Sequence, residues 1–244
     1  MGGNSSEPLI IDGKRIDGRL LDQLREITIK VGILNNANGS AQIHWGGNNI
    51  LTAVYGPREC FPKRAANPYH AVVRCRYIMA PFSSLEEHGR TRPNRRSIEI
   101  SKVLKEAFEN VILTEKYPNS VVEIFIEVLE GNGSTRCAGL TAASLALAAA
   151  GIPMKDIPFA ISFGKIDGEI VLDLKKEEDN YGDADVAMAI KPLTNEIILL
   201  QMDGKLTREE ILKGFEMAFD SAKIITKKQR DALMSLYENE EIED

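Results

Sequence analysis

Apolar and polar residues alternate at Val122, Ile124, Ile126 and Val128, the period-two mark of a strand that buries one face. The same pattern predicts a meander over residues 27–55. Ile27, Ile29, Val31 and Ile33 form its first strand, residues 35–39 turn, 41–45 return, and 46–48 turn again into 50–55, which Gly56-Pro57 ends. In a fourth strand, Ala71, Val73, Cys75, Tyr77 and Met79 alternate against Arg74 and Arg76. The period then changes: Ile100, Val103, Leu104, Ala107, Phe108 and Val111 recur at helical spacing, with Arg95 and Arg96 at the start of that helix.

Beyond the strand at 121–129, residues 131–151 read GNGSTRCAGLTAASLALAAAG. Gly131 and Gly133 free the backbone to bend, and Ser134 or Thr135 can cap a helix whose first N–H groups form an anion site. Arg136 adds a fixed fork of donors for phosphate oxygens. Such a loop alone also suits a helix cap and nothing more. After Pro153 and Pro158, strands are predicted at 159–165, 169–174, 185–191 and 196–202, with turns at Asp167-Gly168 and Thr194-Asn195. Thr207 with Glu210 makes a capping box ahead of an amphipathic helix over 211–222. Residues 1–9 read as a flexible tail and 239–244 as an acidic one. Between them, residues 10–238 read as a single compact α+β domain of β meanders covered on one face by helices.

Composition fits an ordinary globular protein, with 43% hydrophobic residues in 244. Three cysteines without CxxC or Cys/His spacing predict no structural zinc and a reducing, cytoplasmic setting. The longest apolar run, 138–154, is interrupted by Thr141, Ser144 and Gly151 and reads as a buried helix, so no membrane span is expected. Gly2 and Ser6 fit a loose myristoylation pattern, but the opening MGGNSS reads better as a tail. The net charge is −6, yet residues 58–105 hold eleven Lys/Arg against four Glu, a net of +7 that leaves −13 elsewhere. Arg95 and Arg96 stand against the helix dipole, a cost of about 0.3–1 kcal/mol that an anion nearby would offset. The same charges also suit a solvated surface run. Glu177, Glu178, Asp179, Asp183 and Asp185 repel one another unless solvent or a cation intervenes, and Mg²⁺ takes one or two such carboxylates beside phosphate. No GxSxG or GxxxxGK[ST] is present, and His44, His70 and His88 have no metal spacing. The Asp-Gly-Glu at 167–169 imitates an exonuclease metal motif but lies where a hairpin turn is due.

Arg15 to Arg19 as RxDGR, RPNRRSIEISK from Arg92, GNGSTRCAGLTAASLAL from Gly131, and LDL with EEDN and DAD between Leu172 and Asp185 together resemble the RNase PH family. The likeness is closest to the catalytic ring subunits of archaeal exosomes and runs from about Ile10 to the last helix. It implies a ribosomal-protein-S5-domain-2-like fold. It also implies a hexameric ring of three heterodimers with a noncatalytic RNase PH-type partner, RNA-binding cap subunits, and 3′→5′ phosphorolysis of single-stranded RNA. In that reading Ser134, Thr135 and Arg136 bind inorganic phosphate, and Arg95 and Arg96 hold the RNA backbone. Asp179 and Asp185 are the catalytic carboxylates and hold Mg²⁺ or Mn²⁺. Lys63 and Arg64 match a basic loop facing RNA in the channel. Ser134 departs from the family, where Gly is expected, and Asp183 receives no role. Two rivals stay open, a noncatalytic RNA-binding scaffold and a hydrolytic metal-dependent exonuclease.

Overall fold

The computed structural model describes residues 8–84 and 93–240; His88, Arg90, Arg92 and both chain ends lie outside the described residues. Strands β1 (Ile10–Ile11) and β2 (Lys14–Arg15) make a short hairpin. Next come β3 (Ile27–Val31), β4 (Gly39–Trp45), β5 (Asn48–Glu59), β6 (Val72–Met79), helix α1 (Arg95–Glu109) and β7 (Ser120–Glu130). These five longer strands form one sheet in the order β3-β4-β5-β7-β6, antiparallel except for β6 beside β7. Helix α2 (Thr135–Ala149) leads to β8 (Phe159–Ile166), β9 (Glu169–Leu172), α3 (Lys176–Tyr181), β10 (Ala184–Lys191), β11 (Glu196–Gly204) and α4 (Arg208–Glu240). The second sheet is fully antiparallel, in the order β11-β10-β8-β9.

Helix α2 lies between the sheets, packing on β4, β5 and β7 of one and β8 and β10 of the other. Its residues from Cys137 to Leu147 are all buried, which is why the stretch is apolar all round. Small side chains set the spacing. A Cβ on Gly39 would stand 2.2 Å from the Ala146 carbonyl oxygen, so β4 and α2 meet backbone to backbone. Leu140, Leu145 and Leu147, fully buried, each contribute about 1.5–3 kcal/mol. Thr141 satisfies itself by donating to the Cys137 carbonyl (2.9 Å) and accepting from Ala160 N (3.0 Å).

Several sequence expectations need correction. Strand β5 does not end at Gly56-Pro57 but runs on to Glu59; a register shift between Tyr55 and Arg58 takes the proline out of the ladder, where its missing donor costs nothing. Leu9, assigned to the tail, is buried beside Ile166, Val171 and Leu174, and its N–H and that of Ile10 donate to Asp167 Oδ2. The Asp167-Gly168 turn stands as expected, with positive φ at both residues. The acidic segment between the strands expected at 169–174 and 185–191 contains α3. Helix α4 reaches Glu240, past the expected start of the tail, and opens with the Thr207 and Glu210 capping box. No described helix is long and apolar enough to cross a membrane.

Candidate active site

The loop before α2 is pinned by four hydrogen bonds from three residues. Asn132 N donates to Asn48 Oδ1 (2.6 Å), Asn48 Nδ2 donates to the Gly133 carbonyl (2.8 Å), and Arg25 Nη1 donates to the Asn132 carbonyl (2.6 Å). Lys176 N reaches Asn132 Oδ1 at 3.2 Å. Gly133 has φ +75°, and a Cβ there would lie 2.4 Å from the Lys175 carbonyl carbon, so only glycine lets the loop press on the entry to α3.

Ser134 does not cap α2 with its side chain, contrary to expectation. Its φ of +57° swings the hydroxyl away from the helix, to donate to the Leu174 carbonyl (2.8 Å) and meet Ser162 Oγ (2.5 Å). A hydroxyl has one proton, and this one is spent. That left-handed conformation favours glycine, which accounts for the expected family residue. Thr135 differs. Its Oγ1 accepts from the Tyr77 hydroxyl at 2.7 Å, which leaves its own proton to be given elsewhere. Intrahelical bonding begins with Cys137 and Ala138 donating to the Ser134 carbonyl, so the N–H groups of Thr135 and Arg136 precede the helix's own bonds.

Helix α3 is held by charge rather than by apolar packing. Glu178 is buried and receives the Arg15 guanidinium, whose Nε donates to Oε1 at 2.7 Å and whose Nη2 donates to Oε2. Arg15 also donates to the carbonyls of Leu172 (2.5 Å) and Asp173 (2.9 Å). Asp173, with φ +58°, accepts from Arg25 Nη2 (2.6 Å), Arg25 N (2.7 Å) and the Trp45 indole (2.9 Å). Burial opposes its ionisation, but Arg25 and these hydrogen bonds hold its carboxyl below the usual range. Arg15 and Arg19 of the RxDGR motif are thus consumed inside their own chain.

With Glu178 buried, Asp179 faces a cleft of about 730 Å³. Arg96, Glu99, Arg136, Asp185 and Gln201 share the lining. Burial raises the Asp179 carboxyl, against the pull of Arg96, Arg136 and Arg25. Asp185, at the start of β10, lies in register with Asp203 of β11. Burial, then Asp179 and then Asp203 push Asp185 up to about 6, while Arg136 and Arg96 oppose the rise. The cleft therefore sets Arg96 and Arg136 against Asp179 and Asp185, and the charge of Asp179 opposes ionisation of Asp185.

The structure brings Arg96, Arg136, Asp179 and Asp185 together, with Ser134 and Thr135 next to Arg136 in the chain. It does not bring in the other three. Arg95 is exposed and outside the cleft lining, and Asn94 with Ser97, not an anion, satisfies the start of α1. Lys63 and Arg64 lie exposed on a 3₁₀ turn past Glu59, at the opposite end of β5 from Asn48. Twelve strand residues put them roughly 35 Å from the phosphate loop. The basic stretch is also partly spent, since Arg58 and Arg74 both pair with Glu123. Sequence reasoning missed Asn48, Arg25, Tyr77, Glu99 and Gln201; each is a single polar residue whose partner lies far along the chain. Among the described residues no three or more His, Cys, Asp or Glu are grouped to hold an ion by protein alone. Asp179 and Asp185 fit a cation that takes one or two carboxylates and completes its shell with water and phosphate oxygens.

Residues 23–153 match domain 1 of the 3′ exoribonuclease family, and residues 156–221 match its domain 2. The exosome complex component Rrp41 of Pyrococcus furiosus is 56% identical over 226 residues, 93% of this chain and 90% of that protein. Its namesake in Thermoplasma acidophilum is 47% identical over 242 residues, 99% of this chain and 97% of that one. Among solved structures, rice Rrp46 superposes with a TM-score of 0.80 at 26% identity, covering 90% of this chain and all of that one. The Archaeoglobus fulgidus exosome with RNA bound to the active site gives 0.77 at 22% identity, covering 89% and 93%, a likeness of fold. Both halves of the family thus follow in order along one chain, and the chain belongs to the RNase PH family of 3′ exoribonucleases.

Proposed function

We propose that this chain is the catalytic ring subunit of an exosome, degrading single-stranded RNA from the 3′ end by phosphorolysis. The observation that carries the reading is Arg136, at the open start of α2, across one cleft from Asp179 and Asp185. Inorganic phosphate brings its own attacking oxygen, so no nucleophilic side chain is needed; positioning and charge neutralisation suffice. Arg136, the N–H groups of Thr135 and Arg136, and the free Thr135 proton hold that phosphate, while Arg96 holds the RNA backbone. The phosphate oxygen bonds to the terminal phosphorus, the bond from that phosphorus to the penultimate 3′ oxygen breaks, and a nucleoside diphosphate leaves. Asp185 assists proton transfer to the departing 3′ oxygen. Mg²⁺ or Mn²⁺ bound by Asp179 and Asp185 would supply further neutralisation of the attacked phosphate. The linkage exchanged is close in energy to the one formed, so the enzyme also extends RNA from nucleoside diphosphates.

The proposal includes assembly with an RNase PH-type partner in a hexameric ring under RNA-binding caps, and likeness to exosome complex components supports membership of a complex. In the assembled ring, Asp185→Asn keeps RNA binding and loses two or more orders of magnitude in turnover, about 3 kcal/mol. Asp183→Asn, at an exposed neighbouring carboxylate, serves as the control. Thin-layer separation of products decides the chemistry: diphosphates made only when phosphate is present support the proposal, and monophosphates made without it refute it.

A further inference from the structure

Arg136 is not free at the cleft wall. Its Nη1 donates to Gln201 Oε1 at 2.7 Å, and Gln201 Nε2 donates to Glu99 Oε1 at 3.3 Å. Glu99 comes from α1, one helical turn beyond Arg96; Gln201 comes from β11 and Arg136 from α2. The three residues thus tie both helices to the second sheet across the cleft. The order of the contacts is dictated by chemistry. An ionised carboxylate only accepts and a guanidinium only donates, so the amide between them satisfies both only with its NH₂ toward Glu99 and its carbonyl toward Arg136. Flipped, it would set donor against donor. Because Gln201 is neutral, it takes one nitrogen of the fork without cancelling the charge that an anion needs.

We infer that Gln201, oriented by Glu99, is a positioning residue that fixes the Arg136 guanidinium for the incoming phosphate. With one Nη clamped, the plane of the fork is set, and its remaining N–H groups are aimed before phosphate arrives. The role rests on the phosphorolytic reading and concerns binding of phosphate rather than the bond-breaking step.

The test uses the full chain assembled with its ring partner, with inorganic phosphate as the varied substrate. Gln201→Met keeps length and removes both hydrogen bonds. The expected result is a rise of roughly tenfold in KM for phosphate, with kcat at saturating phosphate within about twofold and RNA affinity unchanged. Glu99→Gln frees the amide to flip and gives a smaller rise, about threefold. It also serves as the test if the Met variant melts below the assay temperature. Gln201→Glu cancels the Arg136 charge and raises KM more than Met does. An unchanged KM for phosphate in Gln201→Met, or in Glu99→Gln where that variant stands in, overturns the inference, as does a fall in kcat alone. Wild-type activity that ignores phosphate brings down the phosphorolytic reading itself, and the positioning role with it.

Discussion

Two hydroxyls adjacent in sequence have opposite fates, and the difference is testable. Ser134 spends its proton on the Leu174 carbonyl, whereas Thr135 accepts from Tyr77 and keeps its own. Ser134→Ala should therefore leave KM for phosphate unchanged, and Thr135→Val should raise it about tenfold, read by initial rates against phosphate concentration. A second expectation concerns Asp185. Without metal, the folded chain retains this proton up to about pH 6, while the unfolded chain releases it near the ordinary 3.8. Folding therefore binds more protons, and stability falls as pH rises from 4 through 6. Asp185→Asn removes that loss. In chelator it should melt a few degrees above wild type at pH 7, about 1 kcal/mol after allowing for screening of a half-exposed group, and no higher at pH 4. Equal melting at both pH values would place Asp185 in an ordinary aqueous environment.

At the scale of elements, the helix carrying Asp179 hangs on the buried Glu178 carboxylate, which pairs with Arg15 and lies 3.8 Å from Arg19. Breaking such a pair from one side leaves an unpaired buried charge, so Glu178→Ala should cost about 3–5 kcal/mol by denaturant unfolding. A loss under 1 kcal/mol would mean that local helix propensity holds α3. That dependence explains what was legible in the sequence and what was not. Strands such as β7 announce themselves because Val122, Ile124, Ile126 and Val128 face one core, and the Thr207 and Glu210 box is local by construction. Helix α3 has six residues, KEEDNY, with no apolar stripe; its determinant is Arg15, far outside any sequence window. The arginines of the Arg15 to Arg19 motif were visible, but their partners were not. The motif residues of the cleft were legible as types, whereas Gln201 and Glu99 looked like routine polar positions on a strand and a helix.

Over the whole molecule, the separation along β5 becomes a prediction about substrate length. Lys63 and Arg64 stand a strand's length from the phosphate loop, so only an RNA long enough to span that distance can touch both. Changing both to Glu should raise KM several-fold for long single strands, with a shallower salt dependence, and leave oligomers of a few nucleotides unaffected. An equal effect on short and long RNA would place these charges near the cleft. The long reach of the site has another outcome. Arg15 meets its partner 163 residues later, and the cleft takes side chains from Arg96 to Asp203. A chain emerging from the ribosome therefore has no cleft until nearly all of it is made, so the nuclease is inert while it is still tethered to the message that encodes it.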